Sequence, residues 1–350
     1  MSPNSEANTV AQTSGDLHIV CGSGGSRAIL QGSGSILACH LAGLNNWRTL
    51  GGASGGSIPT LMLAGGVHPI KIVRHTIETD FSSLLARHGS MAQILVAYFM
   101  KDRYEKTRPR RGVFGSERVG QFVETFVPNW PANYWTVATH RDNQWLFTAD
   151  GVFEYSRNGK MRVISSTPAP VGIAIRASCA VPGIIDAAKW NGSYLFDGAL
   201  GMDGRCPVRV PKRHYSARPE SIVAVDVGED NNRQSRAIRL AWKVLCGGNC
   251  VPQPDKQTAV GAEGVVLIHP APVEFRSLQF TLAADQKWQA VMSGFLGAIS
   301  TLEAAGLLTG PALEKALSIA RNFDEIQRTA HDEGELAART ETLLASNGLY

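Results

Sequence analysis

Short apolar runs alternate with longer stretches of helical periodicity along most of the chain. The first run, Leu17–Cys21, ends directly at a glycine cluster, which is typical of a buried strand that leads into a tight turn. Helical patterns follow over 29–44 and 57–64, and they return over 278–303 and 311–345. Strands that alternate with helices predict an α/β domain with a largely parallel sheet.

The remaining apolar runs are short and rich in β-branched or aromatic residues, which favours strands. The stretch 70–98 instead has a helical pattern, and residues 1–15 are polar. We therefore expect a flexible tail over 1–15, an α/β domain over 16–310 and a helical extension over 311–350. Further strands are predicted at 135–139, 145–148, 161–164, 194–196, 222–227 and 265–268.

Composition narrows the class of protein. Of the 350 residues, 44% are apolar and 18% are charged, against roughly 25% charged in an average globular chain, so a disordered protein is excluded. The net charge of +4 is too weak to indicate nucleic-acid binding. The first residues carry no basic region followed by an apolar stretch, so we predict no signal peptide and a cytoplasmic protein. Export as an effector by another signal is left open.

The cysteines indicate neither a disulfide framework nor a metal site. Six cysteines in a chain of this length are sparse. Cys246 and Cys250 are close in sequence, but no second pair of cysteines or histidines lies near them. We therefore expect no metal and no cofactor.

The segment Gly52–Gly56 matches the pattern G-x-S-x-G, in which a sharp strand-to-helix turn exposes the central serine, here Ser54. The glycines suit such a turn because a side chain beside the serine would clash. The pattern alone is weak, but an apolar run that ends at Leu50 and a helical pattern over 58–63 give it the expected context.

A glycine-rich turn after the first strand and an Asp-Gly step after a later strand are two further candidates. The turn 22–27 would present free backbone N–H groups, which hold a phosphate or the oxyanion of an acyl-transfer intermediate. The dinucleotide pattern G-x-G-x-x-G fails because Arg27 stands at the third glycine. Asp197, before Gly198, would point into a cleft at the end of a strand, although Asp-Gly is also a common turn.

These three segments, in this order, resemble the patatin-like phospholipases, which combine a glycine-rich oxyanion motif with G-x-S-x-G and a distant D-G-G/A. The stretch 176–183 is similar to the family's A-S-x-A-x-P-G segment, and 206–208 is similar to its N-x-P-V segment. The resemblance covers residues 17–210. The chain departs from the family pattern where glycine is expected, at Ser23, Ala28 and Ala199.

The resemblance implies a three-layer α/β/α fold with a mostly parallel central sheet, and a serine hydrolase of the phospholipase A type. Ser54 would attack a fatty-acyl ester of a membrane phospholipid, and Asp197 would take its proton without a histidine. It implies no metal or cofactor, and a protein or small-molecule activator is left open. The oxyanion hole is implied at Gly24, Gly25 and Ser26, and substrate binding at Arg27 and Gly55. For Arg27, a structural salt bridge is the alternative.

Three other readings of these residues stay open. A Ser54–Asp197–His269 triad has the chain order of α/β-hydrolase esterases and thioesterases. A protein of the same fold could bind lipid without catalysis, and the turn 22–27 could bind a phosphate or a nucleotide. Hydrolysis that depends on Ser54 but not on His269 would separate the dyad from all three.

Two basic segments predict peripheral contact with an anionic membrane. The stretch 101–111 has six basic and two acidic residues, and aromatic residues that favour membrane interfaces follow at Trp130, Tyr134 and Trp135. The alternative is a solvated loop followed by core aromatics. The basic residues of the two segments are Lys101, Arg103, Lys106, Arg108, Arg110 and Arg111, and then Arg233, Arg236, Arg239 and Lys243.

Overall fold

The computed structural model describes residues 16–90, 92–93, 103–104, 108–228 and 259–350. The expected tail 1–15, Lys101, Lys106, the second basic segment and the Cys246–Cys250 pair lie outside these residues. Among the described residues, no helix is both long enough and apolar enough to cross a membrane.

The chain alternates strands with helices, as its pattern predicts. Among the described residues, four single turns of 3-10 helix lie at Ser54–Gly56, Phe81–Leu84, Gly198–Leu200 and Pro219–Ser221. The described strands are β1 (Leu17–Cys21), β2 (Trp47–Ala53), β3 (Ala86–Arg87), β4 (Arg103–Tyr104), β5 (Arg108–Pro109), β6 (Phe114–Gly115), β7 (Tyr134–His140), β8 (Asn143–Thr148), β9 (Gly151–Tyr155), β10 (Met161–Ser165), β11 (Ala188–Trp190), β12 (Ser193–Leu195), β13 (Ile222–Val225) and β14 (Val266–Ile268). The described helices are α1 (Gly25–Leu41), α2 (Ser57–Ala64), α3 (Pro69–Glu78), α4 (Glu117–Phe126), α5 (Val171–Ser178), α6 (Arg209–His214), α7 (Ala284–Ala304), α8 (Gly310–Thr329) and α9 (Glu333–Ser346).

Eight strands form the central sheet, in the order β10-β9-β8-β7-β2-β1-β13-β14. The five strands from β7 to β14 run parallel, and the hairpins from β7 through β8 and β9 to β10 make the other edge antiparallel. The mostly parallel sheet is therefore confirmed, but the antiparallel edge was not expected. The connections between these strands have two, two and five residues, too few for the crossover that a parallel pairing needs.

Side chains alternate between two cores on the faces of the sheet, because successive residues of a strand point to opposite sides. In β1, Ile19 and Cys21 face the large core formed with the helices, whereas Val20 faces a smaller core. Val208 and Val210, at the start of α6, belong to that smaller core. Helices on one face and α6 on the other give the three-layer arrangement that the family resemblance implied.

Several helix boundaries differ from those predicted. The helix expected over 29–44 begins earlier, at Gly25, so the glycine-rich turn itself forms the first turn of α1. The helical pattern over 70–98 gives α3 and then only short elements among the described residues. The pattern over 278–303 becomes helical only from Ala284, and 311–345 is interrupted after Thr329.

The rings expected at a membrane surface are mostly in the core. Tyr134 and Trp135 lie in β7 and are completely buried, and the Tyr134 hydroxyl donates to the Ser57 carbonyl. Trp130 is partly buried and donates from its indole to the Ala169 carbonyl. These rings therefore belong to the fold, and the contribution expected from them to membrane contact is withdrawn.

The C-terminal helices α8 and α9 pack against the same core as α1 and α7. Phe323 of α8 and Leu344 of α9 are buried there, and Trp288 of α7 contacts Tyr350 edge-on. The residues of the expected extension therefore share their buried surface with the domain before them.

We expect Phe323→Ala to destabilise the protein by about 3–5 kcal/mol, because truncating a large buried ring removes apolar contacts and leaves a cavity. Leu317→Ala on the same helix is the matched control, because Leu317 is 39% exposed whereas Phe323 is 1% exposed. Urea unfolding of the whole protein measures both changes. Equal and small losses would mean that α8 unfolds separately from the α/β core.

Candidate active site

Ser54 lies at the turn between β2 and α2, as the G-x-S-x-G pattern predicts. Its backbone has φ +52°, a left-handed conformation that costs a residue other than glycine of the order of 1–3 kcal/mol. Its N–H donates to Ser178 Oγ over 2.9 Å, and its carbonyl accepts a hydrogen bond from the Ser57 hydroxyl. These contacts hold a strained serine at the end of a central strand.

Ser178 in turn is fixed by the sheet. Thr136 Oγ1 of β7 lies 3.0 Å from Ser178 Oγ and 3.0 Å from the Gly52 carbonyl oxygen of β2. The turn at Ser54 is therefore tied to α5 and to the strand beside it. Ser178 lies in the A-S-x-A-x-P-G segment, but no sequence pattern indicated a role for its hydroxyl.

Asp197 follows β12, and hydrogen bonds to its backbone fix it beside strand β7. Its N–H donates to the Ala180 carbonyl, and its own carbonyl accepts from Thr139 Oγ1 at 2.8 Å. Its Oδ1 accepts the N–H of Ala199 in the turn of 3-10 helix Gly198–Leu200, which Asp197 caps. Since β7 is the neighbour of β2 in the sheet, this anchoring brings Asp197 to the edge where Ser54 emerges.

The carboxyl group of Asp197 is buried, and this changes its acidity. Burial raises the pKa of Asp197 to about 6, while the Ser54 hydroxyl, the Ala199 N–H and the Arg205 charge oppose the rise. The Ser54 hydroxyl is close enough to stabilise the ionised carboxyl group, but no well-formed hydrogen bond joins the two side chains. Asp197 Oδ2 has no hydrogen-bond partner among the described residues. A buried oxygen with an unused lone pair therefore lies close to the serine.

Cys179 completes this cluster. Its thiol is buried beside the same groups, and burial followed by the charge of Asp197 raises its pKa, while the hydroxyls of Ser57 and Ser54 oppose the rise. A thiol with a raised pKa stays neutral at ordinary pH and is a poor nucleophile. The Cys179 thiol is therefore a common neighbour of Ser54 and Asp197.

The glycine-rich turn lies directly against the serine turn. A Cβ atom at Gly55 would be 2.2 Å from the Gly25 carbonyl oxygen, so no side chain fits between the two segments. Gly25 has φ +57°, and a Cβ there would be 1.9 Å from the Ser277 carbonyl oxygen. The start of α1, with the positive end of its dipole, is thereby placed next to Ser54.

The three N–H groups expected in the oxyanion hole differ in availability. Among the described residues, the N–H groups of Gly24 and Gly25 have no hydrogen-bond partner. The N–H of Ser26 donates to the Ser277 carbonyl at 3.0 Å, and the Ser26 hydroxyl donates to the Gln279 carbonyl at 2.7 Å. Ser26 therefore holds the segment 277–280 and is not a free donor in this structure.

An apolar cavity opens beside Ser54. Its wall includes Gly25 and Gly55 near the serine, and Leu278 and Phe280 of the segment that Ser26 holds. The Phe280 ring meets Phe114 edge-on, with ring centroids 6.1 Å apart. Apolar side chains make up most of the remaining wall, namely Ile29, Ile58, Phe81, Leu84, Leu85, Val119, Val181 and Ile185.

Arg27 and His269 do not lie at this cavity. Arg27 is buried and donates from Nη2 to the Val227 carbonyl at 2.6 Å, which suits the structural alternative better than contact with a substrate. His269 follows β14, and its Nδ1 lies 3.3 Å from the Asp226 carbonyl oxygen. Three strand spacings separate β14 from β2, about 14 Å, so His269 does not reach Ser54.

The chain matches the family model for patatin-like phospholipases over residues 19–209, more than half of its length. It belongs to this family. Membership in the patatin-like phospholipases supports lipid acyl hydrolysis as the general activity. No curated protein sequence matches. Among solved structures, VipD from Legionella pneumophila is similar at 12% identity, with a TM-score of 0.46, over 95% of this chain and 79% of that chain.

We expect Gly25→Ala to destabilise the protein more than Gly66→Ala does. Both glycines have positive φ, so both substitutions carry backbone strain of about 1–2 kcal/mol. Only at Gly25 would the new methyl group meet backbone, whereas nothing lies within 4 Å of a Cβ at Gly66. The extra loss at Gly25 should be about 1–3 kcal/mol in urea unfolding. Equal losses would contradict the close packing described here.

Proposed function

We propose that this protein hydrolyses fatty-acyl esters of membrane phospholipids, with Ser54 as nucleophile and Asp197 as general base. The observation that carries the proposal is the pairing of a strained serine, which lines an apolar cavity, with a buried carboxylate oxygen that has no hydrogen-bond partner among the described residues. Apolar side chains suit an acyl chain, and a nucleophile next to a base is the arrangement that covalent catalysis needs.

In the first step, the Ser54 oxygen would attack the ester carbonyl while Asp197 Oδ2 accepts the hydroxyl proton. The two side chains make no hydrogen bond here, but such bonds often form only when substrate binds. The proton would pass to the leaving alcohol as the carbon–oxygen bond breaks, which leaves the acyl group on Ser54. Water would then attack the acyl carbonyl and give a proton to Asp197, and that proton would return to the Ser54 oxygen as its bond to the acyl group breaks and the fatty acid leaves.

The negative charge of the tetrahedral intermediate needs donors that point at the ester oxygen. The N–H groups of Gly24 and Gly25 at the start of α1 suit this role, and such a donor is worth about 3–4 kcal/mol. Gly55 contributes by letting the two turns meet without an intervening side chain. We leave Ser26 out of the oxyanion hole because its N–H is bound to Ser277.

The competing functions fit the described geometry less well. A Ser–Asp–His triad would need His269 near Asp197, and β14 lies on the other side of β2 from β7. A phosphate or nucleotide loop would need several free amides, and those of Gly22, Ser23 and Ser26 already donate to carbonyl oxygens. A non-catalytic lipid-binding protein is separated from the proposal only by the activity measurements below.

Ser54→Ala and Asp197→Asn should each remove nearly all hydrolysis of a short water-soluble ester. The double variant should be little worse than either single variant, because the two residues act as one unit. His269→Ala is the control and should keep the activity. More than about a tenth of the rate left in Asp197→Asn, a loss under about 1.4 kcal/mol, would mean that another group is the base.

The pH dependence of kcat/KM gives an independent test of the base. Burial raises the pKa of Asp197 to about 6, and only its ionised form accepts a proton. The rate should therefore fall about tenfold per pH unit below 6 and reach a plateau above it. Esterase assays between pH 4 and 9, with a check that the protein stays folded, measure this profile. A break in the profile that His269→Ala abolishes would support the triad instead.

A further inference from the structure

A second cavity lies on the other side of one wall of the apolar cavity. Val181 and Ile185 line the cavity at Ser54, whereas Asp186 and Ala187 line the second one. The segment 183–187 is fixed by hydrogen bonds to its neighbour 110–115, among them Phe114 N to Ile184 O at 2.9 Å and Ala187 N to Arg110 O at 2.9 Å. One ordered wall therefore separates an apolar site from a polar one.

The second cavity is basic. Four cations and two carboxylates face it, and we call it the basic cavity. It is lined by Arg110, Arg111, Glu117, Arg176, Asp186, Ala187, Lys189 and Tyr194. Arg111 and Lys189 are exposed at its surface, and Arg110 and Arg176 are partly buried.

Both carboxylates of the basic cavity are already bonded to groups within the fold. Glu117 Oε1 accepts from Arg176 Nη2 at 2.6 Å. Asp186 Oδ1 accepts the Gly112 N–H at 2.6 Å, and His88 Nε2 lies 3.2 Å from Asp186 Oδ2. They therefore brace the walls, and neither forms an ion pair with Lys189 among the described residues.

Two of the cations, Arg110 and Lys189, lie near the ring of Tyr194. The Arg110 guanidinium carbon lies 5.5 Å from the centre of the Tyr194 ring, and Lys189 Nζ lies 5.9 Å from it. Lys189 is the cross-strand neighbour of Tyr194 in the hairpin of β11 and β12, so the hairpin itself sets this arrangement. Like charges held near one ring favour an anionic ligand between them.

We propose that the basic cavity binds the phosphate group of an anionic lipid headgroup and thereby docks the enzyme on a membrane. Phosphate suits several arginine and lysine donors that converge from different segments. A lipid is favoured over a soluble phosphate because the basic cavity adjoins the apolar cavity across a single wall. This inference rests on the proposed function for the role of the apolar cavity, but the binding of phosphate is tested separately.

The test is sedimentation with vesicles of phosphatidylcholine, with and without phosphatidic acid, using the full chain with Ser54→Ala so that lipid is not consumed. Arg111→Glu with Lys189→Glu should weaken binding to phosphatidic acid vesicles by more than about tenfold, since each basic residue at an anionic surface contributes measurably. Arg157→Glu with Lys160→Glu is the matched control. It makes the same change in net charge at exposed residues of the turn between β9 and β10, and should change binding less than about twofold.

Three other outcomes would overturn the proposal or its assignment to a lipid. Equal weakening in the two double variants would mean that only the general charge of the protein matters, and would overturn it. Binding of glycerol 3-phosphate in solution, without preference for phosphatidic acid vesicles, would overturn the lipid assignment. If the double Glu variant has a lowered unfolding midpoint, Arg111→Gln with Lys189→Gln replaces it, and unchanged binding there overturns the proposal. Because binding is measured without Ser54, its failure is distinct from failure of the hydrolase mechanism.

Discussion

The backbone of Gly22–Gly25 lies against the backbone of Gly52–Gly56 with no side chain between them. A Cβ at Gly52 would be 2.4 Å from the Cys21 carbonyl oxygen, and one at Gly56 would be 2.3 Å from the Gly22 carbonyl oxygen. Both segments leave the carboxyl ends of adjacent parallel strands, β1 and β2, which is where sheets of this kind place their sites. This contact sets the distance from the serine to the free amides, so the geometry of the whole site depends on it.

The site contains two features that oppose stability, and the surrounding structure compensates for both. Ser54 has a strained backbone, and Asp197 is a buried carboxyl group whose ionisation is disfavoured. Their backbone groups are held in place by hydrogen bonds: the Ser54 N–H donates to Ser178, and the carbonyls of Ser54 and Asp197 accept from Ser57 and Thr139. The same burial that disfavours the carboxylate brings its pKa to about 6, where it becomes a better base. In the proposed mechanism, the environment of this one aspartate would therefore supply the base without a histidine.

Local patterns predicted the parts of the fold that local chemistry controls. The strand at Leu17–Cys21, the turn at Ser54 and the end of α2 at Gly65 follow from apolar runs bounded by glycine, and they are confirmed. The earlier start of α1 was missed because Gly25 reads as a turn residue, although its positive φ leads straight into the helix. The antiparallel edge was missed because strand pairing depends on connection length as well as on composition.

Contacts between distant segments were beyond the sequence patterns. Nothing near Ser178 indicates that its hydroxyl accepts the N–H of Ser54, and the resemblance to the family marked only its segment. Tyr134 and Trp135 have the ring types that are common at a membrane interface, yet both are buried. They lie in β7, an interior strand of the sheet, and this location determines their burial more than the type of side chain does. The role of Ser277 was equally hidden, since it is 251 positions from Ser26.

The link between Ser26 and segment 277–280 couples the two halves of the proposed chemistry. Ser26 follows the free amide of Gly25 at the start of α1, and its hydroxyl and N–H bind carbonyl groups of a segment that α7 follows. Leu278 and Phe280 of that segment line the apolar cavity. A change that moves this segment must therefore alter both the shape of the cavity and the start of α1. In this fold the fit of an acyl chain and the placement of the oxyanion donors are not independent.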